Sequence, residues 1–324
     1  MSQLVYLPQD IEEEGKNHLL EKGYKIKIGS DLAQETLMEE IKDCDAVLTR
    51  SMAVIRKNVI EAGENLKVIA KYGVGLDNID IEAATERGIF VTNTPEANAN
   101  AVAEHVMALI LSLSKNLRLA DRELRNGHYG IRNQPFGIDL EGKTLGIIGL
   151  GRIGTILAKK AYHGFDMKII GYDPYVSAKP KLEFEVVTDL EWVFRNSDVI
   201  SLHVPLTNTT KGAIGSQEFS WMKSSAYFVN ASRGGIVNEH DLVKALQGGK
   251  IAGAGIDVFE VEPPDAGNPL FQLDNVIVTP HNAALTKEGS VRMAVHAAMQ
   301  VDQVLTGGKP DWAVNNPDFK GISI

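Results

Sequence analysis

The chain has 324 residues, of which 44% are apolar and 23% charged. That composition excludes disorder, collagen-like repeats and coiled coil and, at about 150 residues per domain, points to two globular domains. Thirty-three Lys and Arg against 42 Asp and Glu leave a formal net charge of −9, without the basic footprint that holds a nucleic-acid backbone or an anionic lipid surface.

From the N-terminus, short β-rich runs alternate with helical patterns. Leu4–Leu7, Tyr24–Ile28, Ala46–Thr49, Val68–Tyr72 and Ile89–Thr92 read as strands, and Ile11–Lys22 and Asp80–Arg87 carry apolar residues at helical spacing. The opening MSQLVYLPQD has no basic, signal-like region, and the longest apolar run on a helical pattern, Val106 to Leu111, is far short of the ~20 residues that span a bilayer. A cytoplasmic protein with no membrane partner is therefore expected. The only cysteine, Cys44, sits between Asp43 and Asp45, where negative charge disfavours a thiolate and a structural role is expected. After the turn Asn93-Thr94-Pro95 a longer helical pattern runs from Ala97 to about Leu119, followed by the polar, Gly-containing stretch Arg125–Asn133.

A second βα series begins at Lys143, with strands at Thr144–Ile148, Lys168–Tyr172, Val199–His203, Ala226–Asn230, Ile251–Asp257 and Val276–Thr279. The helical pattern Lys287–Leu305 and a polar tail with Pro310 and Pro317 complete the chain. Alternating strands and helices imply parallel sheets joined by crossover helices, hence an α/β fold.

Gly149-Leu-Gly151-Arg152-Ile153-Gly154 follows the apolar run Leu145–Ile148 and precedes the helical run Thr155–Ala161. In that strand–turn–helix context the glycines permit a tight turn, close approach to a pyrophosphate and close helix–strand packing, with the phosphates at the helix N-terminus. Asp173 ends the next strand 19 residues after Gly154, where an acidic side chain would hold a ribose hydroxyl. A carboxylate there repels a 2′-phosphate, and no Arg or Lys follows until Lys179, so NAD is expected rather than NADP.

Ligands of open α/β sheets bind beyond the carboxyl ends of the strands, and several polar residues occupy such ends. They are His203, Arg233, Asp257 with Glu262 five residues later, and His281. Each suits hydride transfer: Arg233 would hold a substrate carboxylate through two hydrogen bonds, His281 would exchange a proton near neutral pH, and Glu262 would orient His281. His18, His105, His128, His163, His240 and His296 show no metal-ligand spacing or convergent partner, and HExxH and CxxC are absent, so no metal site is expected. Trp192, Trp221 and Trp312 read as packing or interface residues.

The whole pattern resembles the D-isomer-specific 2-hydroxyacid dehydrogenase family. The resemblance implies two doubly wound parallel-sheet domains, a Rossmann cofactor domain (97–284) inserted in a flavodoxin-like substrate domain (1–96 plus 285–324). It also implies catalytic roles for Arg233, Glu262 and His281. Cofactor contacts are implied for Gly149, Gly151, Arg152, Ile153 and Gly154 in the phosphate loop, Asp173 on the ribose and Asp257 on the nicotinamide amide. Further contacts are implied for Val74, His203, Val204, Pro205, Ala231, Ser232 and Arg233, and for His281, Asn282, Ala283 and Ala284. Tyr72-Gly73-Val74-Gly75 matches the glycine turn whose N–H groups bind the substrate carboxylate, and the segment Ala97–Gln134 matches one that builds a homodimer.

Leu48-Thr-Arg50-Ser51, Gly75–Asp80 and Asn230–Val237 are most similar to the phosphoglycerate dehydrogenase branch, which adds Arg50 and Ser51 to the expected substrate site, Arg50 and Lys71 as cations for a phosphate. Lys71-Tyr72 departs from that branch's usual Arg-small pair. The chain stops soon after Lys287–Leu305, so a C-terminal serine-sensing domain and feedback by serine are not expected. Two alternatives stay open: a glyoxylate or hydroxypyruvate reductase, and an adaptor that senses NAD(H), like the C-terminal binding protein corepressors.

Overall fold

The computed structural model describes residues 3–133, 137–175 and 184–317. The chain divides into two compact units, Met1–Asn98 with Leu285–Ile324, and Ala99–Ala284.

In the first unit five strands, β1 (Leu4–Leu7), β2 (Lys25–Ile28), β3 (Ala46–Thr49), β4 (Val68–Lys71) and β5 (Phe90–Thr92), form one sheet in the order β2-β1-β3-β4-β5. Every pair is parallel, the flavodoxin-like order with its switch point between β1 and β3. Both faces of such a sheet are covered, and accordingly β3 (AVLT) and β4 (VIAK) are buried at every position, Lys71 included. Helices α1 (Glu13–Glu21), α2 (Gln34–Glu40), α3 (Lys57–Ala62) and α4 (Ile81–Glu86) alternate with the strands. Asp80 caps α4 by accepting from Ala83 N, which fixes where the chain leaves the Gly73–Asn78 turn.

The second unit begins with α5 (Ala99–Ser114) and α6 (Leu117–Arg125). The single helical pattern expected from Ala97 to Leu119 is divided because Asn116 adopts a left-handed conformation, φ +49°, which an Asn side chain tolerates and a continuous helix does not. Seven parallel strands then pair in the order β12-β11-β10-β9-β6-β7-β8. They are β6 (Thr144–Ile148), β7 (Lys168–Tyr172), β8 (Glu185–Val187), β9 (Val199–Leu202), β10 (Tyr227–Asn230), β11 (Gly253–Ile256) and β12 (Val276–Val278). The chain reverses direction across the sheet between β6 and β9, the place where doubly wound sheets open a crevice. Helices α7 (Arg152–Phe165), α8 (Leu190–Asn196), α9 (Ser216–Trp221) and α10 (Glu239–Gln247) alternate with these strands, and α5 packs on β10, β11 and β12. The short edge strand β8 was not among the expected elements; its Glu-Val-Val is exposed or half-buried and lacks the apolar density of the others. Lys179 and Gln134 lie outside the described residues. The chain returns to the first unit in α11 (Lys287–Leu305), which packs on α1 and β4. No described helix is long and apolar enough to cross a membrane.

Candidate active site

At the end of β6 the glycine motif makes the turn its spacing predicts. Gly149 has φ +99°, and a Cβ there would lie 2.5 Å from the His203 carbonyl oxygen; a Cβ on Gly154 would lie 2.2 Å from the Gly149 carbonyl oxygen. Both positions therefore exclude any side chain, drawing α7 against β6 and β9. A Cβ on Gly151 would meet nothing within 4 Å, so the space before the N-terminus of the 14-residue α7 is open to an anion, which the N–H groups of a helix's first turn and its dipole attract. Asp173 closes this loop from the side: Oδ2 accepts from Leu150 N at 3.0 Å and Oδ1 from Tyr175 N at 2.9 Å. These bonds hold the carboxylate beside the phosphate turn, where a ribose diol would meet it. The donor set fits a dinucleotide.

His203 follows β9 and bonds Ser201 Oγ through Nε2 at 2.9 Å. Loss of solvent around the ring pushes its pKa down to about 4, so it is neutral near pH 7 and supplies no charge. Val204 is half-buried and Pro205 exposed.

The Arg233 turn is built by Asn230, buried at the end of β10. Its amide nitrogen donates to Arg233 O (3.0 Å), and its carbonyl oxygen accepts from Ser232 N and Ser232 Oγ (3.0 and 2.7 Å). The turn is pressed onto the Phe259–Glu262 loop at Gly234, where a Cβ would lie 1.8 Å from Phe259 O and 2.6 Å from Glu260 N. That loop is braced by Glu239, which accepts from Glu260 N (3.1 Å) and Asn268 Nδ2 (2.6 Å).

Glu262 and His281 meet: Nδ1 of the imidazole is 2.7 Å from Oε2, while Oε1 accepts from Phe259 N at 3.0 Å. Burial works to raise the Glu262 pKa, but the His281 hydrogen bond, the Phe259 N–H and the charges of His281 and Arg233 outweigh it and hold the carboxyl below its ordinary range. An ionised carboxylate only accepts, so Nδ1 carries a proton, and Nε2 is the nitrogen left to exchange one. His281 has φ +51°, and its N–H bonds Asp257 O at 2.7 Å. Asp257, wholly buried, accepts from Thr279 Oγ1 (2.6 Å), Asn282 N and Ala283 N (both 3.0 Å). Three of a carboxylate's roughly four acceptor positions are thus filled by the loop that presents His281.

In the first unit the turn after β4 has Gly73 at φ +118°. Gly73 N–H is taken by Thr94 Oγ1 at 2.9 Å, which leaves Val74 and Gly75, exposed and half-buried, as the main-chain N–H groups that could meet a carboxylate. Lys71 is buried, with Nζ 3.0 Å from Arg50 O and 2.8 Å from Asn78 Oδ1, so its ammonium ties the Arg50 loop to this turn. Arg50 lies over the Tyr72 ring, 4.9 Å from its centroid, and donates to Asp10 O at 3.2 Å. Tyr72 OH bonds Glu12 Oε2 at 2.9 Å, and Ser51 is exposed.

The strand-end reading therefore finds Arg233, Glu262, Asp257 and His281 on adjoining loops of one sheet. It missed Asn230, Gly234, Glu239 and Thr279. Only Asn230 and Gly234 carried a sequence signal, by flanking Arg233 in Asn-Ala-Ser-Arg-Gly-Gly.

The family model described as "D-isomer specific 2-hydroxyacid dehydrogenase, NAD binding domain" matches residues 107–283. A D-3-phosphoglycerate dehydrogenase of Methanocaldococcus jannaschii is 44% identical over 93% of this chain and 57% of its own length. A glyoxylate reductase of Thermofilum pendens is 42% identical over 89% of this chain and 86% of its own length. This chain thus spans under two thirds of that phosphoglycerate dehydrogenase and most of that reductase. Among solved structures, an NADPH-dependent glyoxylate/hydroxypyruvate reductase of Sinorhizobium meliloti, in complex with NADP and malonate, superposes with a TM-score of 0.87 at 27% identity, covering 97% of both chains.

Proposed function

The chain belongs to the D-isomer specific 2-hydroxyacid dehydrogenase family, and from that premise we propose that it interconverts a small 2-oxo acid and its D-2-hydroxy acid with NAD(H). The observation that carries the reading is the Glu262–His281 pair: a 2.7 Å bond that fixes the tautomer and leaves Nε2 for the substrate oxygen. When bound, the nicotinamide supplies the hydride to C2 in reduction and accepts it in oxidation. In the reductive direction His281 Nε2–H protonates the oxygen at C2, and Glu262 stabilises the imidazolium that must be present beforehand. Arg233, anchored by Asn230, holds the substrate carboxylate and polarises the neighbouring carbonyl. In the substrate unit, 1–98 with 285–324, the Val74 and Gly75 N–H groups are the main-chain donors that a substrate carboxylate would meet. The unit 99–284 is the coenzyme unit.

NADH oxidation monitored with a panel of 2-oxo acids tests the proposal. Turnover supports it, whereas NADH binding with no turnover of any member would favour the adaptor reading.

Asp173 supports NAD over NADP, because its carboxylate stands where a 2′-phosphate would need a cation. Asp173→Ala is expected to weaken NADH binding about 10–150-fold, the loss of a charged hydrogen bond, and to narrow the NAD/NADP gap. Fluorescence titration with both coenzymes measures it, and an unchanged preference would misplace the ribose site.

For the substrate, a phosphorylated acid such as phosphohydroxypyruvate is the first choice and glyoxylate or hydroxypyruvate the second. Arg50 supports the first: its guanidinium rests on Tyr72 at the edge of the glycine turn, with Lys71 buried beneath. Arg50→Ala is expected to raise KM for phosphohydroxypyruvate about 10–100-fold and to leave glyoxylate within about twofold. The preference for the phosphorylated acid should shrink with salt as the charge of the half-buried Arg50 is partly screened. Equal losses on both substrates would give Arg50 a folding role, and no preference in the parent enzyme would leave the reductase reading.

A homodimer built through 97–134 belongs to the same proposal, supported by the exposed Leu117, Leu124 and Tyr129. So does a cytoplasmic location: the sole thiol, Cys44, is buried, and burial pushes its pKa up to about 11.

A further inference from the structure

His105, on α5, has neither a motif nor a sequence neighbour that ties it to chemistry, yet its ring reaches the strand end that presents His281. Nε2 lies 3.0 Å from Thr279 Oγ1 and 3.7 Å from Asp257 Oδ1, and Thr279 Oγ1 lies 2.6 Å from that same Oδ1. The direction of this chain follows from its acceptor end. Asp257 as a carboxylate only accepts, so the hydroxyl's one proton points to it, and the hydroxyl lone pair receives the imidazole N–H. The chain therefore runs His105 Nε2–H to Thr279, and Thr279 Oγ1–H to Asp257, which fixes the His105 tautomer as well. At its far end the Asp257 carboxylate holds the N–H groups of Asn282 and Ala283, the two residues after His281, whose left-handed backbone (φ +51°) needs an outside restraint.

We propose that His105 is a positioning residue. By donating to Thr279 it aims the Thr279 hydroxyl at Asp257, and Asp257 so oriented clamps the main chain that holds His281 against Glu262. The inference rests on the acid/base role proposed for His281. Thr279 without His105 is free to turn its hydroxyl away, and Asp257 then loses one of the three donors that orient it, in a wholly buried place where solvent cannot replace it.

His105→Leu removes the donor, and His105→Gln offers an amide N–H in its place. Amide hydrogen exchange on the ligand-free protein reads the clamp directly. His105→Leu is expected to speed exchange at Asn282 and Ala283 about three- to tenfold, as for one lost hydrogen bond, with the strand β6 unchanged; His105→Gln should recover part of that protection. In turnover, kcat falls by a similar factor while KM for the 2-oxo acid holds, and again His105→Gln recovers part of it. Thr279→Val should reproduce both effects, and adding His105→Leu to it should cost nothing more, because the two act in one chain.

Unchanged exchange at Asn282 and Ala283, full additivity with Thr279→Val, or faster exchange throughout with no split between kcat and KM would overturn the proposal. If the exchange signature appears but the parent protein turns over no 2-oxo acid, the functional reading falls and the clamp stands. If the parent is active and the signature is missing, the clamp falls.

Discussion

Replacing His281 by alanine is expected to lower kcat for 2-oxo acid reduction about 10²–10⁴-fold, the range for removing a general acid, while NADH binding stays within a few-fold. The separation follows from the local bonds. Asp257 holds the main-chain N–H groups of Asn282 and Ala283 and the Thr279 hydroxyl, none of which involves the imidazole, so the loop keeps its course when the ring is removed. Pre-steady-state turnover and fluorescence titration measure the two effects. Near-parental turnover would eliminate the mechanism.

Glu262→Gln refines the same expectation. It keeps a partner for Nδ1 and removes the charge, so the loss is smaller than for His281→Ala. Because His281 and Arg233 hold Glu262 below its ordinary range, the pair's contribution is present above that range and fades as pH falls through the lowered value. An amide takes up no proton in that range, so the acid-side loss of kcat expected of the parent enzyme should be absent from the rate profile of Glu262→Gln.

Most of the architecture was legible because both sheets are parallel and covered on two faces, so their strands read as dense apolar runs bounded by turns. The exceptions have local causes: β8 is short and exposed at the sheet edge, and Asn116 ends α5 through a single left-handed residue. At the site, legibility followed strand ends. Gly149, Asp173, Arg233, Asp257 and His281 each stand just beyond an identifiable strand, and a geometric rule gathers them. What holds them was not legible, because it depends on contacts between distant segments. His105 and Thr279 are 174 residues apart, Glu239 reaches forward to Glu260 and Asn268, and Gly234 is constrained by a backbone atom of Phe259 that no pattern around Gly234 announces. Lys71 is the clearest reverse case. A cation at a strand end reads as a ligand group, yet the fold buries it and directs its ammonium to a main-chain carbonyl and an amide.

Gly234→Ala tests how much the chemistry depends on those long-range contacts. The added Cβ would stand 1.8 Å from Phe259 O, 2.0 Å from Phe259 C and 2.6 Å from Glu260 N. All three are backbone atoms, so no side chain can swing aside and one loop must move. One of these loops carries Arg233 and the other carries Glu262, braced by Glu239; a shift of either displaces a group that must meet the substrate. Misplacement of about 1 Å costs on the order of 10² in rate, and overpacking typically costs about 1–3 kcal/mol of stability. Gly234→Ala is therefore expected to lose about 100-fold in kcat and to melt at lower temperature. Its coenzyme affinity should change much less, since the phosphate turn and Asp173 lie on other loops. Gly235→Ala is the matched control: its Cβ would meet only Leu206 methyl groups at 3.5 and 3.6 Å, ordinary contact distances, and it should keep both activity and melting temperature. A Gly234→Ala enzyme as active as Gly235→Ala would mean that the Arg233 and Glu262 loops move apart without cost to the reaction, and the close fit between them would then have no part in catalysis.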